Sequence, residues 1–176
     1  MQPELRVLVV EQDISFARAS TALSVASIRS QFSTAVNVAV SRFGIEFIRD
    51  FQGHLGQDVG VPSLGLKENG YLFLARSAQG ATLLAELAEM QRGQGASTVV
   101  WTAAQTQDRF PWLNVDDIAA ASFGPRDEGW FDNMGLLSGL RAAAKAQGAR
   151  FVTDEAVGFE MSAGKMCGQF HFIKRR

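Results

Sequence analysis

Residues 7–10 form an uninterrupted apolar run, Val-Leu-Val-Val, and the acidic Glu11 follows directly. A run of this length and composition predicts a strand that is buried on both faces, as strands of parallel sheets are. Parallel strands need long crossover connections, which are usually helices, so strands and helices are expected to alternate along the chain. The sequence therefore predicts a mixed fold, of the α/β or α+β class.

Three amphipathic helices are predicted after this strand. Thr34 has the position of an N-cap for the first helix, which continues to Leu55 and ends at Gly56. The second helix is predicted over residues 78–92, and Asp132 caps the third. The apolar face predicted for the first helix comprises Val36, Val40, Phe43, Phe47, Phe51 and Leu55.

Further strands are predicted between and after these helices. Asn69-Gly70 has the composition of a two-residue hairpin turn, with Leu66 before it and an apolar strand after it. Thr102 and Gln105 have the spacing of a capping box for a short helix that Pro111 ends. The strands are expected at residues 71–74, 98–101, 118–123, 151–152 and 157–161.

Composition excludes several classes of function. The chain has 176 residues with 17 Lys+Arg and 18 Asp+Glu, so it lacks the basic excess of a nucleic-acid-binding protein. It has no apolar run of about 18 residues, so no membrane insertion is predicted. One cysteine and two histidines exclude the usual zinc patterns, and no metal site is predicted. The single Cys167 cannot form an internal disulfide, which favours a reducing, cytoplasmic location.

Glu11 is a candidate binding residue because of where it lies. An acidic residue at the end of a parallel strand binds the adenosine ribose in dinucleotide-binding folds, where its carboxylate accepts hydrogen bonds from the hydroxyls. The glycine loop of that fold is expected about 20 residues earlier, but only ten residues precede Glu11. Gly93-Gln94-Gly95 is the nearest match elsewhere, and it follows a predicted helix. From this feature alone, a solvent-exposed strand end is the simpler interpretation.

Residues 18–33 are rich in small and hydroxyl side chains and include Arg29. Small residues allow a close approach of the backbone to a ligand, and hydroxyls offer donors to a phosphate or a ring edge. Arg29 can supply a fixed positive charge beside an anionic ring. On composition alone, an ordinary Ser/Ala-rich surface segment is the simpler interpretation.

Four short sequence motifs resemble those of a known family. They occur at residues 27–33 (SIRSQFS), 68–75 (ENGYLFLA), 109–114 (RFPWLN) and 128–132 (EGWFD). In this order, after an acidic strand end, they resemble the FAD-dependent oxidoreductases of the D-amino-acid oxidase and sarcosine oxidase type. The resemblance extends over roughly residues 5–164.

The resemblance implies a partial FAD/NAD(P)-binding Rossmann-like domain joined to part of an antiparallel substrate-domain sheet. Residues 1–56 and 126–165 would form the first part, residues 57–125 the second, and residues 166–176 an atypical tail. Such enzymes bind FAD and oxidise the C–N bond of a secondary amine or amino acid, a small-molecule substrate. Because the glycine loop and the C-terminal half of the family pattern are missing, the 176 residues alone are expected to be inactive and not to retain FAD.

The resemblance also implies roles for individual residues. Glu11 would bind the adenosine ribose, and Val157 would contact the adenine through its backbone. Arg29 would lie near the flavin ring. The path from the pyrophosphate to the ring would be lined by Ser20, Ser24 and Ser27. No catalytic residue is assigned, because the catalytic groups of the family's substrate domain mostly lie in the missing C-terminal half.

Two other functions are compatible with parts of the sequence. A non-catalytic interaction protein would use exposed faces left by missing strands, and such faces favour a homo-oligomer. Residues 5–13 (LRVLVVEQD) also resemble the start of a phospho-accepting receiver domain. That domain needs an Asp after its third strand and a Lys after its fifth. The receiver interpretation fails because Asp50 lies in a helical pattern and no lysine occurs between Lys67 and Lys145.

Overall fold

The computed structural model describes residues 6–56, 60–61, 63–162 and 165–172, with residues 159–162 and 165–172 described by their backbone. Strands and helices alternate along the chain, as the sequence predicts. The elements are β1 (Leu8–Glu11), α1 (Ser20–Leu23), β2 (Ser27–Ile28), α2 (Ala35–Arg49), α3 (Phe51–Leu55), β3 (Tyr71–Ala75), α4 (Ala78–Gly93), β4 (Val99–Trp101), α5 (Ala103–Arg109), β5 (Ala120–Gly124), β6 (Gly129–Trp130), α6 (Asn133–Ala146), β7 (Arg150–Thr153), β8 (Ala156–Ser162) and β9 (Lys165–Phe172).

The first strand pairs in parallel with β7, so the predicted parallel arrangement is confirmed. Glu11 lies opposite Thr153 at the carboxyl end of this pair. The prediction of full burial on both faces is wrong, because Leu8 is exposed and Val9 and Val10 are only half-buried. Among the described residues this sheet has two strands, and two strands cannot cover both faces and both edges of β1.

The largest sheet among the described residues is antiparallel and has three strands, in the order β3-β5-β4. All five residues of β5 are buried. The predicted hairpin at Asn69-Gly70 is wrong, because β3 pairs with the distant β5 and Lys67 instead bridges to Trp130. Gly70 has a φ of 83°, as the turn chemistry requires, but its N–H donates to the Glu128 carbonyl across the loop.

The predicted first helix is two helices, α2 and α3, which meet at Asp50. Its predicted apolar face is half right, because Phe51 is buried and Phe47 and Leu55 pack against the core cluster. Val36, Val40 and Phe43 are 66%, 63% and 67% exposed. The buried residues of the two helices are Val38, Ile45, Ile48 and Phe51. In α2 apolar residues lie on two sides, and tertiary packing buries the side with Val38, Ile45 and Ile48, which the predicted face did not include.

The main core cluster joins α2 and α3 to α6. Ile48 and Phe51 pack with Leu64, and Leu136 of α6 packs against them. A Cβ added at Gly139 would lie 2.5 Å from the Phe51 ring, so the backbone of α6 comes very close to α3. The small residue at this position therefore lets the two helices pack tightly.

The remaining strands form two separate pairs. β2 pairs with β6, and β8 and β9 form an antiparallel pair that includes the strand predicted at residues 157–161. The three-stranded sheet falls within residues 57–125, while the division of the chain into two partial domains stays a prediction. In the tail, residues 166–172 belong to β9, whereas residues 173–176 lie outside the described residues.

Asp132 caps α6 as predicted, since its side chain accepts from the Gly135 N–H at 2.8 Å. Replacing Asp132 by Ala is expected to lower the free energy of unfolding by about 1 kcal/mol, because one N-terminal N–H loses its partner. Urea denaturation measures this loss. Asp116→Ala, which removes an exposed loop carboxylate, is the control and should change the stability by less than half as much.

Candidate functional site

Arg29 lies directly after β2 in a cage of aromatic rings. The centre of its guanidinium group lies 4.7 Å from the Phe32 ring centroid, 5.2 Å from that of Tyr71 and 5.5 Å from that of Phe73. Its Nε is buried and has no hydrogen-bond partner among the described residues. An unpaired buried donor costs free energy, so this nitrogen is suited to an acceptor from a ligand.

A cavity of about 250 Å³ lies beside this cage. Arg29 and Phe73 line one part of it, and Leu84, Leu87 and Gln91 of α4 line another. The Gln91 amide donates to the Phe32 carbonyl at 3.0 Å, while its Oε1 is buried without a partner in the described structure. The cavity therefore has an apolar wall, and two of its lining residues, Arg29 and Gln91, each carry a buried polar atom without a partner in the described structure.

Glu128 lies under the same segment and is 1% exposed. Its carboxylate accepts from the Ser30 N–H at 2.7 Å and from the Gln31 side-chain amide at 2.8 Å. Burial raises the pKa of Glu128, and the hydrogen bonds from Gln31 and Ser30, with the charge of Arg29, oppose this rise. Glu128 is thus a buried acid held by donors from a segment about a hundred residues earlier in the chain.

The raised pKa of Glu128 predicts a pH-dependent stability. At pH values below the usual pKa of a glutamate, about 4.3, the protonation of Glu128 stabilises the fold. This contribution is lost as the pH rises through the raised pKa of Glu128 in the folded protein. The free energy of unfolding of the unmodified chain minus that of Glu128→Gln should therefore increase as the pH falls. Urea titrations of both proteins test this; the same comparison with Glu68→Gln, an exposed carboxylate, should show no such increase.

Glu11 and Val157 lie along connected strands. The Glu11 carboxylate accepts from the Asp13 N–H at 3.0 Å, and its carbonyl accepts from the Asp154 N–H at 3.1 Å. Asp154 follows β7 and leads into β8, where Val157 lies at an irregularity between the Ala156 and Gly158 pairs. Glu11 at the end of β1 and Val157 near the start of β8 are therefore linked only through Asp154, which bonds to Glu11 and lies in the short connection from β7 to β8.

The segment with the three predicted serines is exposed and tethered at both ends. Ser20, Ser24 and Ser27 are exposed, and the Ser24 hydroxyl accepts from the Ala26 N–H at 3.0 Å. Asn133, at the start of α6, donates to the carbonyl of Thr21, and Ser27 pairs with Trp130. Leu23 and Val25 are 74% and 84% exposed beside these serines. This segment therefore carries both exposed hydroxyl and exposed apolar side chains.

Sequence reasoning missed Glu128, Gln31 and Gln91 as site residues. Gln91 had a detectable signal, because it lies seven residues after Leu84 and so places a polar side chain on the apolar stripe of α4. Glu128 and Gln31 lie within the recognised sequence motifs, but no local pattern shows that they are buried together. The specific contacts of Glu11, Ser20, Ser24, Ser27, Arg29 and Val157 with a cofactor stay predictions.

A family model described as "FAD dependent oxidoreductase" matches residues 2–169. The chain belongs to the FAD-dependent oxidoreductase family. Its relatives include "FAD-dependent oxidoreductase domain-containing protein 1" of Bos taurus, 44% identical over 94% of this chain. The chain covers 34% of that relative, so it spans about a third of the length of such relatives. Mitochondrial sarcosine dehydrogenase of Mus musculus is 32% identical over 53% of the chain and 10% of its own length.

Solved structures confirm the fold class of the chain. Glycine oxidase from Geobacillus kaustophilus has a TM-score of 0.70 and 21% identity, over 88% of this chain and 42% of the other. L-proline dehydrogenase from P. horikoshii has a TM-score of 0.68 and 21% identity, over 94% and 48% respectively. The mixed, Rossmann-like fold and the family resemblance predicted from the sequence are therefore confirmed.

The described residues fit FAD in three respects. The unpaired Nε of Arg29 is a buried donor that lacks an acceptor. Glu11 presents a carboxylate at the carboxyl end of a parallel strand, where ribose hydroxyls bind in this class of fold. The exposed Leu23 and Val25 offer an apolar surface that a large planar ligand would cover.

Proposed function

We propose that this chain forms part of an FAD-dependent oxidoreductase that oxidises the C–N bond of a secondary amine or amino acid. The observation that carries the proposal is the buried, unpaired Nε of Arg29 inside its aromatic cage. The names of similar proteins support the substrate class, because glycine oxidase, L-proline dehydrogenase and sarcosine dehydrogenase are all named for an amino acid. FAD, when bound, supplies the acceptor for the hydride that leaves the substrate.

The residues of the chain then have distinct roles. Glu11 accepts hydrogen bonds from the adenosine ribose, and Ser20, Ser24 and Ser27 offer hydroxyl donors along the path to the flavin ring. Arg29 places a positive charge beside the ring, which favours the reduced, anionic form. These roles follow the resemblance, and the exposure of the three serines supports them.

The position of Val157 supports its proposed role in binding the adenine. A residue at a bulge leaves the regular ladder of hydrogen bonds between two strands. Val157 lies at such an irregularity, and its side chain is about half exposed. Its backbone is therefore suited to contact a ligand such as adenine.

The 176 residues by themselves are expected to retain little FAD. Pyrophosphate groups bind to backbone N–H groups at the start of a helix that follows a glycine loop. The sequence contains no G-x-G-x-x-G motif that could form this loop. Dialysis of the isolated chain against FAD tests this expectation, and stoichiometric retention of flavin would contradict it.

The binding partners and the cellular location of the protein are proposed from its composition. A small-molecule substrate, no nucleic acid and a cytoplasmic location are consistent with a net charge of −1 and a single cysteine. Within the described residues, no helix is both long enough and apolar enough to cross a membrane.

The proposed reaction is tested on the natural gene product that contains these 176 residues. The purified protein is expected to show the visible absorption bands of oxidised flavin. Anaerobic addition of sarcosine, glycine or proline, and of further secondary amines, should bleach these bands with at least one compound. Glycerol 3-phosphate, which has no C–N bond, is the control. A protein that takes up no flavin, or whose flavin no amine reduces, contradicts the proposal.

A non-catalytic, homo-oligomeric protein is the second candidate function, and one observation favours it. Val36, Val40 and Phe43 form an exposed apolar stripe on α2 that no described residue covers. Such a stripe is typical of a contact surface between protein chains. Val40→Asp with Phe43→Asp should then convert the oligomer to a monomer in sedimentation velocity, whereas the exposed change Glu89→Lys on α4 should not. A monomeric unmodified chain contradicts this candidate.

A further inference from the structure

The carboxylate of Glu128 forms a connection between two distant segments of the chain. One of its oxygens accepts from the Ser30 N–H and the other from the Gln31 amide. Gln31 also donates to the Tyr71 carbonyl at 2.8 Å and accepts from the Ser122 hydroxyl at 2.6 Å. The segment after β2 is therefore fixed to β3, to β5 and to the loop before β6 through one buried network.

The neighbouring strand leaves space for this carboxylate. A Cβ added at Gly124, the last residue of β5, would lie 2.1 Å from the Glu128 carboxyl group. Any side chain at this position would displace the carboxylate or the strand. The burial of Glu128 thus depends on a glycine that lies four residues before it.

The same contacts determine the position of Arg29. The peptide group between Arg29 and Ser30 is held at both ends, because its carbonyl accepts from the Ser41 hydroxyl and its N–H donates to Glu128. The guanidinium group then lies against the rings of Phe32 and Tyr71. The rotation of the Arg29 backbone is fixed by groups from α2 and from the Glu128 loop together.

We propose that Glu128 is a positioning residue that holds Arg29 in the orientation it has within the aromatic cage, the orientation in which it would meet the flavin ring. The inference rests on the proposed function for the identity of the ligand, but the positioning itself is a property of the chain. Glu128 acts through the Arg29–Ser30 peptide and through Gln31, and it does not contact the ligand. Its loss should therefore release the Arg29 side chain while leaving the global fold in place.

The first test uses the natural gene product without cofactor. Nitrogen-15 NMR follows the hydrogen exchange of the Arg29 Nε–H, which is identified by its absence in Arg29→Lys. Glu128→Gln should increase this exchange rate about tenfold or more, because a charged acceptor of the network is lost. Gly124→Ala, which keeps the carboxylate but displaces it, should give the same change.

Two further variants control for a purely structural effect. Asp127→Asn removes the adjacent carboxylate, which pairs with Arg49 at the surface, and should leave the exchange rate unchanged. Ser122→Ala keeps Glu128 and removes only the hydroxyl that donates to Gln31, so an intermediate increase is expected. If Glu128→Gln does not fold, the Ser122→Ala result decides. An exchange rate that is unchanged in the folded variants overturns the positioning role.

The second test measures FAD affinity by flavin fluorescence titration of the same proteins. Glu128→Gln and Gly124→Ala should weaken binding about tenfold, and Asp127→Asn should not. Equal affinity in all proteins, alongside an altered exchange rate, overturns the connection between Glu128 and the flavin. If the unmodified protein binds no FAD, the proposed function fails, while the exchange measurement still decides whether Glu128 positions Arg29.

Discussion

Replacing Gly129 by alanine is expected to lower the free energy of unfolding by about 3 kcal/mol or more, a loss typical of severe steric conflict. The added Cβ would lie 1.8 Å from the Lys67 carbonyl oxygen. Lys67 and Trp130 exchange backbone hydrogen bonds of 2.8 Å and 3.1 Å at this point, so the conflict separates two paired backbone segments. Side-chain rotation cannot relieve this conflict, because neither the added Cβ nor the Lys67 carbonyl oxygen moves when a side chain rotates.

Urea denaturation of Gly129→Ala measures this loss. Gly93→Ala is the matched control, since a Cβ at that helical position meets nothing within 4 Å. Alanine at Gly93 should be neutral or stabilising by about 0.5–1 kcal/mol, because glycine loses more backbone entropy on folding. Equal stability of the two variants would show that the chain around Gly129 is not packed as described.

Replacing Arg29 by methionine is expected to slow reduction of the flavin about 10²–10³-fold, the effect of removing one preorganised charged donor. Methionine keeps much of the apolar contact with the Phe32 and Tyr71 rings but removes the positive charge. Stopped-flow absorbance of the natural gene product, mixed anaerobically with its amine substrate, measures the rate. Arg29→Lys, which keeps the charge without the planar donors, should be intermediate.

Arg76→Met provides the control for loss of a positive charge. Arg76 follows the same strand as Tyr71 and Phe73, but it is exposed and pairs with Asp117 at 2.6 Å. Its replacement should change the rate less than twofold, because solvent screens a charge at the surface. A normal rate for Arg29→Met would exclude Arg29 from the flavin site and remove the main support for the proposed function.

Local sequence patterns predicted the features that depend on neighbouring residues. Asp132 caps α6 and Thr102 with Gln105 forms a capping box, because each cap needs only residues within one turn. The apolar run before Glu11 predicted a strand with a parallel partner, and β7 provides it. The four sequence motifs predicted the family, which the match over residues 2–169 confirms.

Features that depend on distant residues were not predictable in this way. Asn69-Gly70 has hairpin composition, yet the strand after it pairs with β5 because β5 supplies a buried, apolar partner. The apolar stripe of α2 at Val36, Val40 and Phe43 satisfies helical periodicity, but the opposite side faces the core. Periodicity shows that a helix is amphipathic, whereas the position of the other elements determines which of two apolar sides is buried.

The candidate site shows the same division. The sequence singled out Arg29 and Glu11 as candidates, because Arg29 lies within a recognised motif and Glu11 follows an apolar strand, and their roles stay predictions. It could not identify the network of Glu128, Gln31 and Gly124, whose members come together only when segments about a hundred residues apart pack against each other. A buried carboxylate has the same local sequence as an exposed one, and only tertiary structure removes it from water and supplies the N–H donors that make its burial stable.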